Sequence, residues 1–168
     1  MKEVLKKVVK IASKTLNMDE PGVFFEKQDQ FPSPDITSVM LPKRLEIYVN
    51  DNWAKKAEAL EVIFTVLHEV RHVYQRRLVE KPSCDDPGIT DEDLAQWKKE
   101  FDGYTHPDES KAGAFDDAYT KQAIEIDAMA FAKYLIKQLF MFEYPVPDEL
   151  KDEVSKRLTR MQHYRIKK

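Results

Sequence analysis

The chain has 168 residues, 42% of them hydrophobic and 34% charged, with a formal net charge of −3 at pH 7. That is enough chain for one globular domain with a real core, and the slightly acidic balance gives no footing for direct nucleic-acid binding. A single cysteine, Cys84, excludes an internal disulfide and fits a reducing compartment.

From the N-terminus, Val4, Leu5, Val8, Val9, Ile11 and Ala12 recur at helical spacing with lysines between them. They predict an amphipathic helix that ends near Asn17 and Pro21-Gly22. Lys6, Lys7, Lys10 and Lys14 interrupt every apolar run there, so no signal-peptide core exists. No apolar run in the chain is long enough for a bilayer. The expected location is cytoplasmic, with no membrane partner.

Between Gly22 and Asn50 the period changes. Val23 to Phe25, Ile36 to Leu41 and Leu45 to Val49 are short β-prone runs, and the last alternates apolar Leu45, Ile47 and Val49 with Glu46 and Tyr48. They predict a small, mostly antiparallel sheet of three strands, with Pro32, Pro34 and Pro42 at its turns or edges. Asn50-Asp51-Asn52 then opens a long helix, roughly Ala54 to Val79. Leu60, Ile63, Leu67, Val70 and Tyr74 form its stripe, and Phe64, Val66 and Val73 widen it until the middle is apolar nearly all round, as in a buried helix.

Residues 80–117 carry twelve acids and four lysines, a local charge of −8. One short helix, Asp91 to Phe101, is expected there with Leu94, Trp97 and Phe101 inward, and the remainder as loop. A loop segment of that length is often a functional lid. It has the charge to favour a basic substrate or to cover a cleft. Helical periodicity returns from Ala114 to Phe142 and stops at Tyr144-Pro145-Val146-Pro147. Asp148 is expected to cap a last helix whose Arg157, Arg160 and Arg165 suit its C-terminal dipole.

Inside the buried helix lies His68-Glu69-Val70-Arg71-His72, an H-E-x-x-H pattern. Residues four apart on a helix share a face, about 5–6 Å between Cβ atoms, so both imidazoles reach one zinc ion. Glu69, one position round, reaches a water at that ion and holds the general-base position. A catalytic zinc takes a third protein ligand, for which His106, Glu125, Asp127 and His163 are candidates. Glu125 is the better one. It shares a helical face with Ala128 and Ala132, small residues that let two helices approach. Asp127 points elsewhere, either as an acceptor for an imidazole N–H or for Arg71, or as an ordinary surface acid. Tyr104, His106 and Tyr119 are candidates to stabilise an oxyanion.

Val66 to His72, followed by Glu125-Ile126-Asp127-Ala128-Met129-Ala130-Phe131-Ala132, resembles the ImmA/IrrE-like family of zincin metallopeptidases. That family pairs an HExxH helix with a later E-x-E-A-x-x-F-A-type helix. The resemblance covers roughly Met1 to Phe142. It implies an α+β, zincin-like domain over 1–168, running from an N-terminal helix through the sheet to the HExxH and glutamate helices, with an acidic insert at about 80–117 and a C-terminal helix at about 148–165. It further implies zinc on His68, His72 and Glu125, Glu69 as the catalytic residue, and a protein or peptide substrate, such as the repressors that regulatory members cleave. The alternative is a non-catalytic zinc module, or a pseudoenzyme that binds a regulator. Arg71 and the acidic insert are expected where substrate approaches.

Overall fold

The computed structural model describes residues 1–33, 35–81, 86–105 and 116–166. Helix α1 (Lys2–Thr15) precedes three strands, β1 (Gly22–Glu26), β2 (Ser38–Leu41) and β3 (Glu46–Asn50). Among the described residues six further helices follow: α2 (Asp51–Ala54), α3 (Ala59–Glu80), α4 (Asp91–Asp102), α5 (Asp117–Thr120), α6 (Ala123–Phe140) and α7 (Lys151–Thr159). The class is α+β. Among the described residues, no helix is long and apolar enough to cross a membrane.

The sheet is mixed rather than mostly antiparallel. Its order is β1-β3-β2, with β1 parallel to β3 and β2 antiparallel to it. A short 3-10 turn (Pro42–Arg44) and Leu45, at a φ of 53°, fold β2 back on β3. β1 joins the opposite edge in the direction of β3. The central place of β3 explains its alternation, since Ile47 and Val49 are completely buried.

Helix α1 buries Leu5, Val8, Val9 and Ala12 and leaves its lysines in water, although Val4 is also exposed. The predicted long helix is two helices. The Asn50 side chain accepts from the backbone N–H groups of Asn52 and Trp53, which starts α2 directly off β3. The chain bends before α3 begins at Ala59. As its pattern requires, α3 is buried along both flanks of its stripe, by Val62, Ile63, Val66, Leu67, Val70 and Val73. It packs most extensively on α6, where Ala128, Ala130 and Ala132 are fully buried and allow close approach. One apolar cluster joins α1, β3, α3, α4, α6 and α7.

The last helix also differs from expectation. Asp148 starts a 3-10 turn (Asp148–Leu150) and pairs with Lys151 at 2.6 Å, and α7 begins only at Lys151 without a side-chain cap. Pro147 supplies the entry to that turn, so the cap position falls one residue before the aspartate.

Part of the acidic segment is structural. Thr90 and Asp93 form a capping box on α4, whose Trp97 is buried in the core. Glu100 accepts from the backbone N–H groups of Ala123 and Ile124 at 3.0 and 2.9 Å, and so caps α6 from another helix. Asp86 accepts from the hydroxyls of Tyr74 and Tyr164 and from the N–H of Gly88. A Cβ on Gly88 would lie 2.5 Å from both the Arg160 carbonyl oxygen and the His163 ring, which accounts for a glycine there. The expected features at Pro34, Cys84, Asp85 and 106–115 lie outside the described residues.

Candidate metal centre

His68 and His72 lie one turn apart on α3, and Glu125 lies in the first turn of α6. The packing of α3 on α6 brings their side chains together, with one ligand atom from each within 4.8 Å of the others. Nε2 of His68 stands 2.8 Å from Nε2 of His72 and 3.1 Å from Oε2 of Glu125. Nε2 of His72 stands 3.4 Å from Oε1 of Glu125. Glu125 is 2% exposed and His72 7%, while the His68 side chain keeps 15% of its surface.

Such a cluster needs a cation at its centre. Two imidazole nitrogens face one another beside a buried carboxylate, and burial disfavours each charge taken alone. Burial works against charge on His72, but the Glu125 carboxylate outweighs it and carries the ring up to about 9. Burial would likewise raise Glu125, yet the His72 and His68 rings hold it well below the ordinary carboxylate range. The positive N-terminal end of α6 acts in the same direction. A proton meets this demand, and so does a metal ion. Two imidazoles and one carboxylate are a donor set suited to zinc with a position left open. The residues therefore fit the metal.

Further groups surround the centre. The Tyr104 hydroxyl donates to Glu125 Oε1 at 2.9 Å. Burial first, then the Glu125 carboxylate, push both Tyr104 and Tyr119 far upward, so each phenol keeps its proton. The Tyr119 ring stands edge-on to Tyr104, 6.3 Å between centroids. Gln122 fixes the loop carrying Tyr104 through both backbone groups of Thr105. Behind His72, Nδ1 lies 2.7 Å from Gln75 Oε1. Glu69, on the next position of α3, accepts from the Ser38 hydroxyl on β2 at 2.6 Å.

His163 is remote from the centre. Its Nδ1–H donates to the Arg160 carbonyl at 2.9 Å and its Nε2 lies 2.9 Å from Asp86 Oδ1. His106 lies outside the described residues. Arg71 is not on a substrate path. It is 1% exposed, donates to both Asp127 oxygens at 2.6 and 3.2 Å, and sits among the rings of Tyr74, Phe131, Tyr164 and Trp97. Asp127 is buried, accepting from Arg71, Arg157 and Gln75, and burial, which would raise it, yields to the two guanidiniums that lower it. Arg157 stands in the last turn of α7 and Arg160 at its C-cap, as expected, and both also pair with Asp93.

Ser38, Gln75, Glu100 and Arg157 make contacts around or behind the centre that sequence reasoning did not foresee. Gln75 had a detectable mark: it stands three residues after His72, on the same face of an otherwise apolar stripe. Ser38 had none, since its partner is 31 residues away on another element. Compared with protein-family models, with curated proteins and with solved structures, the chain finds no match.

Proposed function

We propose that this protein is a zinc-dependent metallopeptidase of the ImmA/IrrE-like, zincin type, with His68, His72 and Glu125 as metal ligands and Glu69 as the general base and acid. The observation that carries this reading is the convergence of the three ligand atoms, with the Glu69 carboxylate, held by Ser38, on the helix that bears both histidines. A structural zinc site has no need of Glu69 or of Ser38 aligning it, which favours the catalytic reading over the non-catalytic one.

When bound, zinc supplies Lewis acidity, polarising a carbonyl and lowering the pKa of water to about 7. The remaining work falls to side chains. Glu69 accepts one proton from water as the oxygen bonds to the scissile carbonyl carbon. It then delivers that proton to the departing amine as the C–N bond breaks, so that water is divided between the two products. Ser38 keeps one carboxylate oxygen of Glu69 occupied and leaves the other for this traffic. Among the described residues, Tyr119, whose phenol keeps its proton beside Glu125, is a candidate donor to a developing oxyanion, which it would reach by exchanging its contact with Glu125.

A peptide substrate is supported by the sheet. β2 is an edge strand, and it carries Ser38 next to Glu69. An exposed edge pairs with an extended chain through main-chain hydrogen bonds, which would lay a peptide bond along the centre.

Metal analysis of the purified protein with Glu69→Gln and His72→Ala variants tests the reading. Zinc near one equivalent per chain is expected in wild type and in Glu69→Gln, and is lost in His72→Ala. Wild type should cleave an unfolded protein such as casein and Glu69→Gln should not. Absence of metal under all conditions, or equal cleavage by the two proteins, rejects the assignment.

A further inference from the structure

Gln75 is completely buried on α3, one turn beyond His72. Its Nε2 donates to the Ile124 carbonyl at 3.0 Å and to Asp127 Oδ2 at 2.7 Å. Both partners only accept: one is a main-chain carbonyl, and the other is a carboxylate kept charged by Arg71 and Arg157. The Gln75 amide is thereby fixed in one of its two orientations, with Oε1 turned to His72 Nδ1. An amide oxygen accepts, so the proton of that contact belongs to Nδ1.

We propose that Gln75 is the positioning residue that fixes His72 with its proton on Nδ1 and Nε2 turned to the centre, and that Asp127, Arg71 and Arg157 act on His72 through it. The metal role of His72 rests on the function proposed above; the tautomer does not. An acceptor behind a ligating imidazole sets which nitrogen can ligate. A neutral amide does this without adding a further negative charge to a place that already holds Glu125 and Glu69. The charge of Asp127 is kept one link away, between two guanidiniums. Since Arg157 belongs to α7 and Asp127 to α6, the C-terminal helix influences the centre without touching it.

The test combines ¹⁵N-resolved spectra of the imidazole rings with zinc affinity by chelator competition, on wild type, Gln75→Leu, Arg157→Gln and the double variant. In metal-free wild type, His72 should show a slowly exchanging Nδ1–H on both sides of its titration, and Gln75→Leu should lose it. Zinc affinity should fall about 10–100-fold in Gln75→Leu. Arg157→Gln should weaken zinc in the wild-type background and add nothing in Gln75→Leu, whereas two independent structural defects would multiply. A wild-type His72 with Nδ1 bare overturns the proposal without any variant, as does unchanged affinity in a folded Gln75→Leu. Should wild type bind no zinc yet hold the Nδ1–H, the peptidase reading falls and the hold of Gln75 on His72 stands.

Discussion

The hydroxyl of Ser38, on the edge strand, lies 2.6 Å from Oε1 of Glu69, on the helix that bears both histidines. A carboxylate only accepts, so the hydroxyl donates. The bond ties the sheet to the one acidic side chain of the centre that is not placed as a ligand. A hydrogen bond to a charged group is worth about 1.5–3 kcal/mol. Ser38→Ala should therefore lower kcat by about tenfold or more while zinc content stays at the wild-type level. Ser38→Thr, which keeps the hydroxyl and suits a strand, should restore most of the rate. Full activity in Ser38→Ala would mean that Glu69 needs no such alignment.

At the proposed metal site, protons and zinc would compete for the same atoms. In the metal-free protein His72 is raised from 6.5 to about 9, so its contribution to stability is complete below about 6.5 and is lost as pH rises through about 9. Glu125 is depressed from 4.5, so its contribution is complete above about 4.5 and is lost as pH falls through its lower folded value. Thermal unfolding of chelator-treated protein should accordingly show greatest stability from these two groups between about 4.5 and 6.5, declining towards 9. Zinc must displace the His72 proton, so its affinity should climb with pH and level off near 9. A flat unfolding temperature between pH 6.5 and 9, together with pH-independent zinc affinity, would contradict the pairing of His72 with Glu125.

Asp127 gathers three donor side chains from two other elements, Arg71 and Gln75 from α3 and Arg157 from α7. Replacing a buried ion pair as a whole with apolar groups is often harmless, but removing one partner strands the other. Asp127→Ala would leave Arg71 buried among aromatic rings and Arg157 beside it with Asp93 as its carboxylate among the described residues. The expected loss is about 3–5 kcal/mol, read from the denaturant midpoint. A loss below 1 kcal/mol would show that water or rearranged partners satisfy both guanidiniums.

The parts of this molecule legible in sequence are those whose chemistry is local. The approach of His68 to His72 follows from helical spacing alone, and that of Glu125 from a carboxylate on a face of small residues. Helices α1, α4 and the buried α3 followed from periodicity in the same way. What stayed hidden depends on partners distant along the chain. Parallel pairing of β1 with β3 leaves no trace in either strand's pattern. Arg157 meets Asp127 across 30 residues and Arg160 meets Asp93 across 67, so both look like ordinary helix-end charges until the helices are packed. The acidic segment misleads for a related reason. Net charge counts Asp86, Asp93 and Glu100 as a field, whereas each faces particular donors.

Glu100 gives the sharpest test of that last point. Its two oxygens accept separately from the first two N–H groups of α6, which no intrahelical carbonyl satisfies. Glu125 stands in that same turn, so a frayed start to α6 would displace the proposed ligand. Loss of a helix cap costs about 0.5–2 kcal/mol, and Glu100→Ala should destabilise the protein by about that amount and weaken zinc binding with it. Asp102, also acidic and two residues on, pairs at the surface with Lys98, both side chains more than 60% exposed, and Asp102→Asn should leave stability essentially unchanged. If acidity of the segment is what matters, the two substitutions will have equal effects on zinc affinity. If the cap is what matters, only Glu100→Ala will lower it, and Glu100→Gln, which keeps one acceptor oxygen, will fall between.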